Sequence, residues 1–176
     1  MILKIYYVLF KPVITVQYAY ILDNRLIEEV YTFLKKHLLH WFEALSLLGK
    51  IHESIHMLST LRTLVQVNVF HNADLPTLVQ TSSHQLLFDL VHDAYRFSMS
   101  NCFTIQEAPL QTYCSALIFS PSKSIVRRLF EGEFPGWLKV KPLVSENWDS
   151  LFQTLAGHLV WVQSVAFSLD GLKMVS

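Results

Sequence analysis

The chain has 176 residues, 52% of them apolar, and a mean hydropathy of +0.33. That is enough for one ordinary domain, or a small domain plus a fragment, around a substantial core, and it excludes a disordered chain. Lys plus Arg and Asp plus Glu each total 14, so the formal net charge is zero. This argues against nucleic-acid binding by neutralisation of many phosphates and against long-range steering.

The first twenty residues, Met1 to Tyr20, are very apolar but are interrupted by Lys4, Lys11 and Pro12. They fall short of the ~18 uninterrupted apolar residues of a membrane span and show no small-residue cleavage site after an apolar core. Residues 1–22 therefore read as an unassigned, partly buried segment of a cytoplasmic chain with no membrane partner. Asp23 or Asn24 then offers a side-chain oxygen to cap a helix opening at Arg25. Leu26, Val30, Phe33, Leu34, Trp41, Leu45 and Leu48 recur near helical spacing, and Gly49 stands where a left-handed residue ends a helix. The pattern fits one long helix or two joined by a kink.

A second helix is predicted over Ile51 to Val67. Ile51, Ile55, Met57, Leu58, Leu61, Leu64 and Val65 share one arc, with His52, His56, Ser59 and Thr63 opposite. The single glycine between these helices predicts an antiparallel pair. Val69 to Pro76 reads as a loop. A third helix, Ser83 to Ser100, has Leu86, Leu87, Leu90, Val91, Ala94 and Phe97 as its buried stripe. Pro109 and Pro121 suit the first turns of two short helices, with Ser120 at the capping position of the second. Residues 23–130 thus form one α-helical domain.

Residues 131–150 hold Pro135 and Pro142 and have no periodicity, so they read as an extended linker. Residues 151–176 change texture again. Val160, Val162, Val165 and Phe167 suit a strand, Leu169-Asp170-Gly171 a tight turn, and Leu172 to Ser176 the start of another strand.

The run LAGHLVWVQSVAFSLDGLKMVS, Leu155 to Ser176, resembles the first half of a WD repeat. The matching residues are Gly157-His158, Trp161-Val162, Ser164 to Ser168 and Asp170-Gly171. The runs Phe33 to Leu58 and Ala108 to Phe130, with the pair Asn147-Trp148, resemble fungal NACHT and WD-repeat proteins of the vegetative-incompatibility type. In that family a nucleotide-binding module is followed by a helical region and then by a WD-repeat sensor. The resemblance runs from about Val16 to Ser176. It implies a mainly α fold: a helical connector with a C-terminal fragment of a WD-repeat β-propeller blade. It also implies structural roles for His158, Trp161, Asp170 and Gly171, with His158 in a hydrogen-bond network whose aspartate and tryptophan would lie beyond Ser176. Three departures qualify the likeness. No GxxxxGK[ST] phosphate loop is present, Leu169 replaces the family's usual proline, and the second half of the blade is missing. The chain therefore reads as a truncated relative, a gene fragment or a partial gene model.

His52-Glu53-Ser54-Ile55-His56 is an HExxH run. On a helix that spacing sets two imidazoles on one face to hold zinc, with the glutamate placed to activate water. The motif has two free positions, and no convincing third ligand follows among His71, His84, His92 and Glu107, so a surface histidine pair is the plainer reading. Ser46, Ser54 and Ser59 lie in no nucleophile elbow. Cys102 and Cys114 read as thiols in a reducing compartment. Trp41, Trp137, Trp148 and Trp161 read as packing anchors. The residues thus predict no enzyme and no cofactor, but an interaction or scaffold segment whose partners are other proteins or other domains of a parent chain. The alternatives are a small zinc hydrolase using His52, Glu53 and His56, or an isolated helical adaptor.

Overall fold

A computed structural model describes residues 24–71, 78–149, 166–167 and 174–175; at 24, 67–71, 78–82 and the four strand positions it describes backbone alone. The described part is mainly helical. Helix α1 spans Asn24–Leu47, α2 Ile51–His71 and α3 Leu78–Glu107. A π-helical turn at Thr112–Ala116 runs on into α4, Leu117–Phe119. Helix α5 is Ile125–Leu129, and a 3-10 turn covers Glu131–Glu133. Strands β1, Ala166–Phe167, and β2, Met174–Val175, pair antiparallel with Ala166 opposite Val175 and Phe167 opposite Met174.

Helix α1 is one continuous helix, and it ends as its glycine predicts. Gly49 has φ +68°, Lys50 N donates to Leu45 O at 2.7 Å, and Gly49 N donates to Ser46 O at 2.9 Å. This paired closure satisfies terminal carbonyls while a residue without Cβ takes the left-handed conformation. It also overturns Leu48 as a core residue. Leu48 lies past the last helical position, where the 3.6-residue period no longer aims it inward, and it is 64% exposed. The predicted capping group Asp23 and the Asn24 side chain lie outside the described residues.

Helix α2 runs on to His71, so Val69 to His71 are helical where a loop was expected. Once a helix is nucleated, each added residue gains a backbone hydrogen bond, which outweighs the weak propensity of Val and Asn. Helix α3 is longer than expected at both ends and is the centre of the fold, touching α1, α2, α5 and the π turn. The contact between the neighbours α1 and α2 is the lesser one; each packs chiefly on α3. The core joins Leu34, Leu38 and Phe42 of α1, Leu58 and Val65 of α2, and Leu87, Val91, Phe97 and Ile105 of α3. The Phe42 and Phe97 rings stack at 5.7 Å, 11° from parallel. Leu86 is not part of the buried stripe; it is 53% exposed, and His84 is buried on the inward arc instead.

The second short helix starts later than predicted. Ser120 is extended and closes the preceding helix, with its hydroxyl donating to Ala116 O at 2.7 Å. Ser124 is the cap of α5, its oxygen accepting from Arg127 N at 3.2 Å. Pro121 therefore lies in the intervening turn, its carbonyl accepting from Ser124 N at 3.0 Å, and not in a first helical turn. Pro109 does stand at the entry of a helical segment, where its carbonyl accepts from Thr112 N at 3.2 Å.

Candidate functional site

Asp93 is a carboxylate on the core-facing side of α3, between Leu90 and Phe97, and only 7% of it is exposed. A charge in that position needs hydrogen-bond donors to replace water. Three come from elements far along the chain. Oδ2 accepts from Ser124 Oγ at 2.7 Å and from Val126 N at 2.8 Å, and Oδ1 accepts from Trp148 Nε1 at 2.6 Å. One side chain thus satisfies an amide in the first turn of α5 and holds the indole of the segment that follows.

That segment is fastened along its length. Ser122 N donates to Ser145 O at 2.9 Å and Lys123 N to Glu146 O at 3.0 Å, two successive backbone bonds that hold residues 145–146 to the turn before α5. Lys123 Nζ meets Glu146 Oε2 at 2.5 Å, and the Arg96 guanidinium donates to Asp149 O. Trp148 and Phe134 both pack against the core. Arg127, itself buried, donates to Ser120 O and lies 5.5 Å from the Phe134 ring centroid. Its desolvation lowers its pKa from the ordinary value. Beside the clamp, burial and then the Arg62 and Arg96 cations hold the His92 imidazole below its ordinary pKa. Residues 145–149 are therefore strapped to α3 and to the turn before α5.

The HExxH run lies on the first turns of α2, and its members part company. His52 turns both ring nitrogens to α3: Nε2 is 2.8 Å from Gln106 Oε1, and Nδ1 is 3.3 Å from Cys102 Sγ. Burial raises the Cys102 pKa, which keeps the thiol protonated. The consistent arrangement has Nε2–H donating to Gln106 and the thiol donating to Nδ1. Glu53 is paired with Lys50 at 2.9 Å, and His56 is exposed one turn further on. Among the described residues, no group of three or more His, Cys, Asp or Glu side chains is placed to hold a metal ion.

The serines are structural. Ser54 Oγ donates to Ile51 O at 2.6 Å and contacts the buried Ser98 Oγ of α3 at 2.9 Å, and Ser46 Oγ donates to Ile105 O. Of the tryptophans, Trp41 is buried and Trp148 partly so, whereas Trp137 is 69% exposed and is no packing anchor. Trp161, with His158, Asp170 and Gly171, lies outside the described residues. No helix among the described residues is long and apolar enough to cross a membrane.

Sequence reading missed Asp93, Arg96 and Gln106. A signal for Asp93 was present: it falls at i+3 from Leu90 and i−4 from Phe97, a charged residue inside an apolar stripe. Nothing comparable marks Gln106, whose role depends on which residue of α2 comes to face it.

No family model and no solved structure matches the chain. The sequence is similar to the vegetative incompatibility protein HET-E-1 of Podospora anserina, with 36% identity over 148 residues, 84% of this chain and 10% of that protein. The chain thus spans about a tenth of the length of the curated relative it matches, and identity of that extent supports a related family.

Proposed function

We propose that the chain is a non-enzymatic scaffold segment of a NACHT and WD-repeat protein, linking a nucleotide-dependent switch module to a WD-repeat sensor. The helical domain at residues 23–130 is the rigid part. Residues 131–150 are the link, and residues 151–176 are the opening of the first repeat, in which His158, Trp161, Asp170 and Gly171 shape the blade. The observation that carries the reading is the strap at 145–149, held by Asp93 directly before the repeat-like run. A flexible tether would average out any movement of the helices. A strap fixed to α3 passes a displacement of that helix to whatever follows Asp149. Similarity to an incompatibility protein fits a role in protein recognition, with other domains or other proteins as partners.

A chimera tests this. The matching stretch of HET-E-1 is replaced by this chain, either unaltered or carrying D93A, and the incompatibility response is scored at equal protein level. The unaltered segment is expected to support the response and D93A to abolish it. Equal responses from the two would sink the relay, and no response from the unaltered segment would sink the shared role.

A further inference from the structure

The structure gives the first histidine of the HExxH run partners on α3. His52 does not aim its nitrogens along α2; it presents Nδ1 to the Cys102 sulfur at 3.3 Å across the α2–α3 contact. A tetrahedral cation with bonds of about 2.0 Å to imidazole nitrogen and about 2.3 Å to thiolate sulfur holds those atoms about 3.5 Å apart. The observed spacing reaches that value with a shift of a few tenths of an ångström. Imidazole ligands are commonly oriented by an acceptor on the other ring nitrogen, and Gln106 Oε1 occupies that place at 2.8 Å from Nε2. His52 is exposed and Cys102 is 8% exposed, so one face of the pair opens to water.

We infer that His52 and Cys102 form a chelating site for a thiophilic divalent cation of the zinc and cadmium class, with Gln106 as its positioning residue. Binding breaks the Cys102 S–H bond and sends that proton to solvent. A sulfur–metal bond forms, and Nδ1, released from accepting the thiol hydrogen, forms the second bond. Water fills the remaining positions. With two protein ligands the site is labile, unlike the closed four-ligand sites that hold folds together. The preference follows from ligand type, since thiolate and imidazole favour soft and borderline cations over magnesium or calcium.

Cadmium chloride is the probe, titrated into the full chain while the ultraviolet thiolate-to-cadmium charge-transfer band is followed. A band saturating at one ion per chain is expected, with one proton released per ion and displacement of cadmium by zinc. C102A is expected to abolish the band, H52A to weaken binding at least tenfold, and Q106A to weaken it roughly tenfold, the lower end for such supporting residues. H56A and C114A are expected to leave it unchanged. His52 is exposed, so H52A keeps the fold and carries the test should C102A fail to fold. No band, a band surviving in C102A, a band lost in C114A, an affinity unchanged in H52A or Q106A, or an affinity that falls in H56A would each overturn the assignment.

Discussion

Trp148 and Asp93, 55 residues apart in sequence, are joined by a 2.6 Å hydrogen bond from the indole nitrogen to the carboxylate. The same carboxylate holds Ser124 Oγ and Val126 N, so the strap and the start of α5 share one acceptor. Hydrogen bonds to a charged group contribute about 1.5–3 kcal/mol, and removing the shared partner strands several donors at once. W148F is therefore expected to cost about 1–2 kcal/mol, since part of the indole reaches water and its packing is retained. D93A is expected to cost more, about 3 kcal/mol or above. Urea denaturation of each variant checks the order, and W148F costing as much as D93A would contradict the hub.

Ser124, not Ser120, is expected to dominate the stability of α5. S124A removes the oxygen that accepts from Arg127 N and the hydroxyl that donates to Asp93. Loss of a cap alone costs about 1 kcal/mol. S124A should therefore exceed that value and also speed amide exchange at Val126 and Arg127, whereas S120A should leave those two amides slow. Exchange measured by mass spectrometry or NMR distinguishes the two.

The core predicts a sharp contrast between apolar residues that all fit the helical spacing in sequence. F97A removes a ring stacked on Phe42 in a fully buried position and is expected to cost about 3–5 kcal/mol. L48A and L86A, both at exposed positions, should stay within about 0.5 kcal/mol of the parent. Thermal or urea unfolding settles each.

Alkaline stability should depend on Tyr113. Its hydroxyl donates to Glu43 Oε2 at 2.6 Å; burial, then that bond and the Glu43 charge, raise the phenol above its ordinary value of 10.0. The folded state then keeps a proton that the unfolded chain loses. The stabilisation is whole below pH about 10 and is lost as pH rises toward the folded value. The parent should lose stability above pH about 10 more steeply than Y113F, as measured by denaturant midpoints across that range. Parallel profiles would refute the assignment.

His92 works in the opposite direction. Its pKa is lowered from 6.5 by burial and by the Arg62 and Arg96 cations, against smaller contributions from Asp93 and Asp89. The folded state binds this proton less readily than the unfolded chain, so its contribution is present above pH 6.5 and lost as pH falls through the lower folded value. Removing a cation in R62A is expected to raise the His92 pKa in an NMR titration of its ring protons. A fall, or no change, would contradict the placement of Arg62.

The sequence by itself determined the helices, because burial on one side of a helix imposes a 3.6-residue period that Leu34, Leu45, Leu58, Leu90 and Phe97 display. It also determined the end of α1, since Gly49 alone there tolerates φ +68° without strain. Local rules failed where a neighbouring element decides. Leu48 and Leu86 are apolar, but whether they are covered depends on what faces them. Ser120 and Ser124 are equally good caps until the chain direction selects one. Only tertiary structure could turn Asp93 from an oddity in an apolar stripe into the acceptor for Trp148, because a buried carboxylate is defined by donors brought from 31 to 55 residues away. The same holds for His52. The HExxH spacing predicts His56 as its companion along one helix, whereas the packing of α2 on α3, where Ser54 meets Ser98, gives it Cys102 and Gln106 instead.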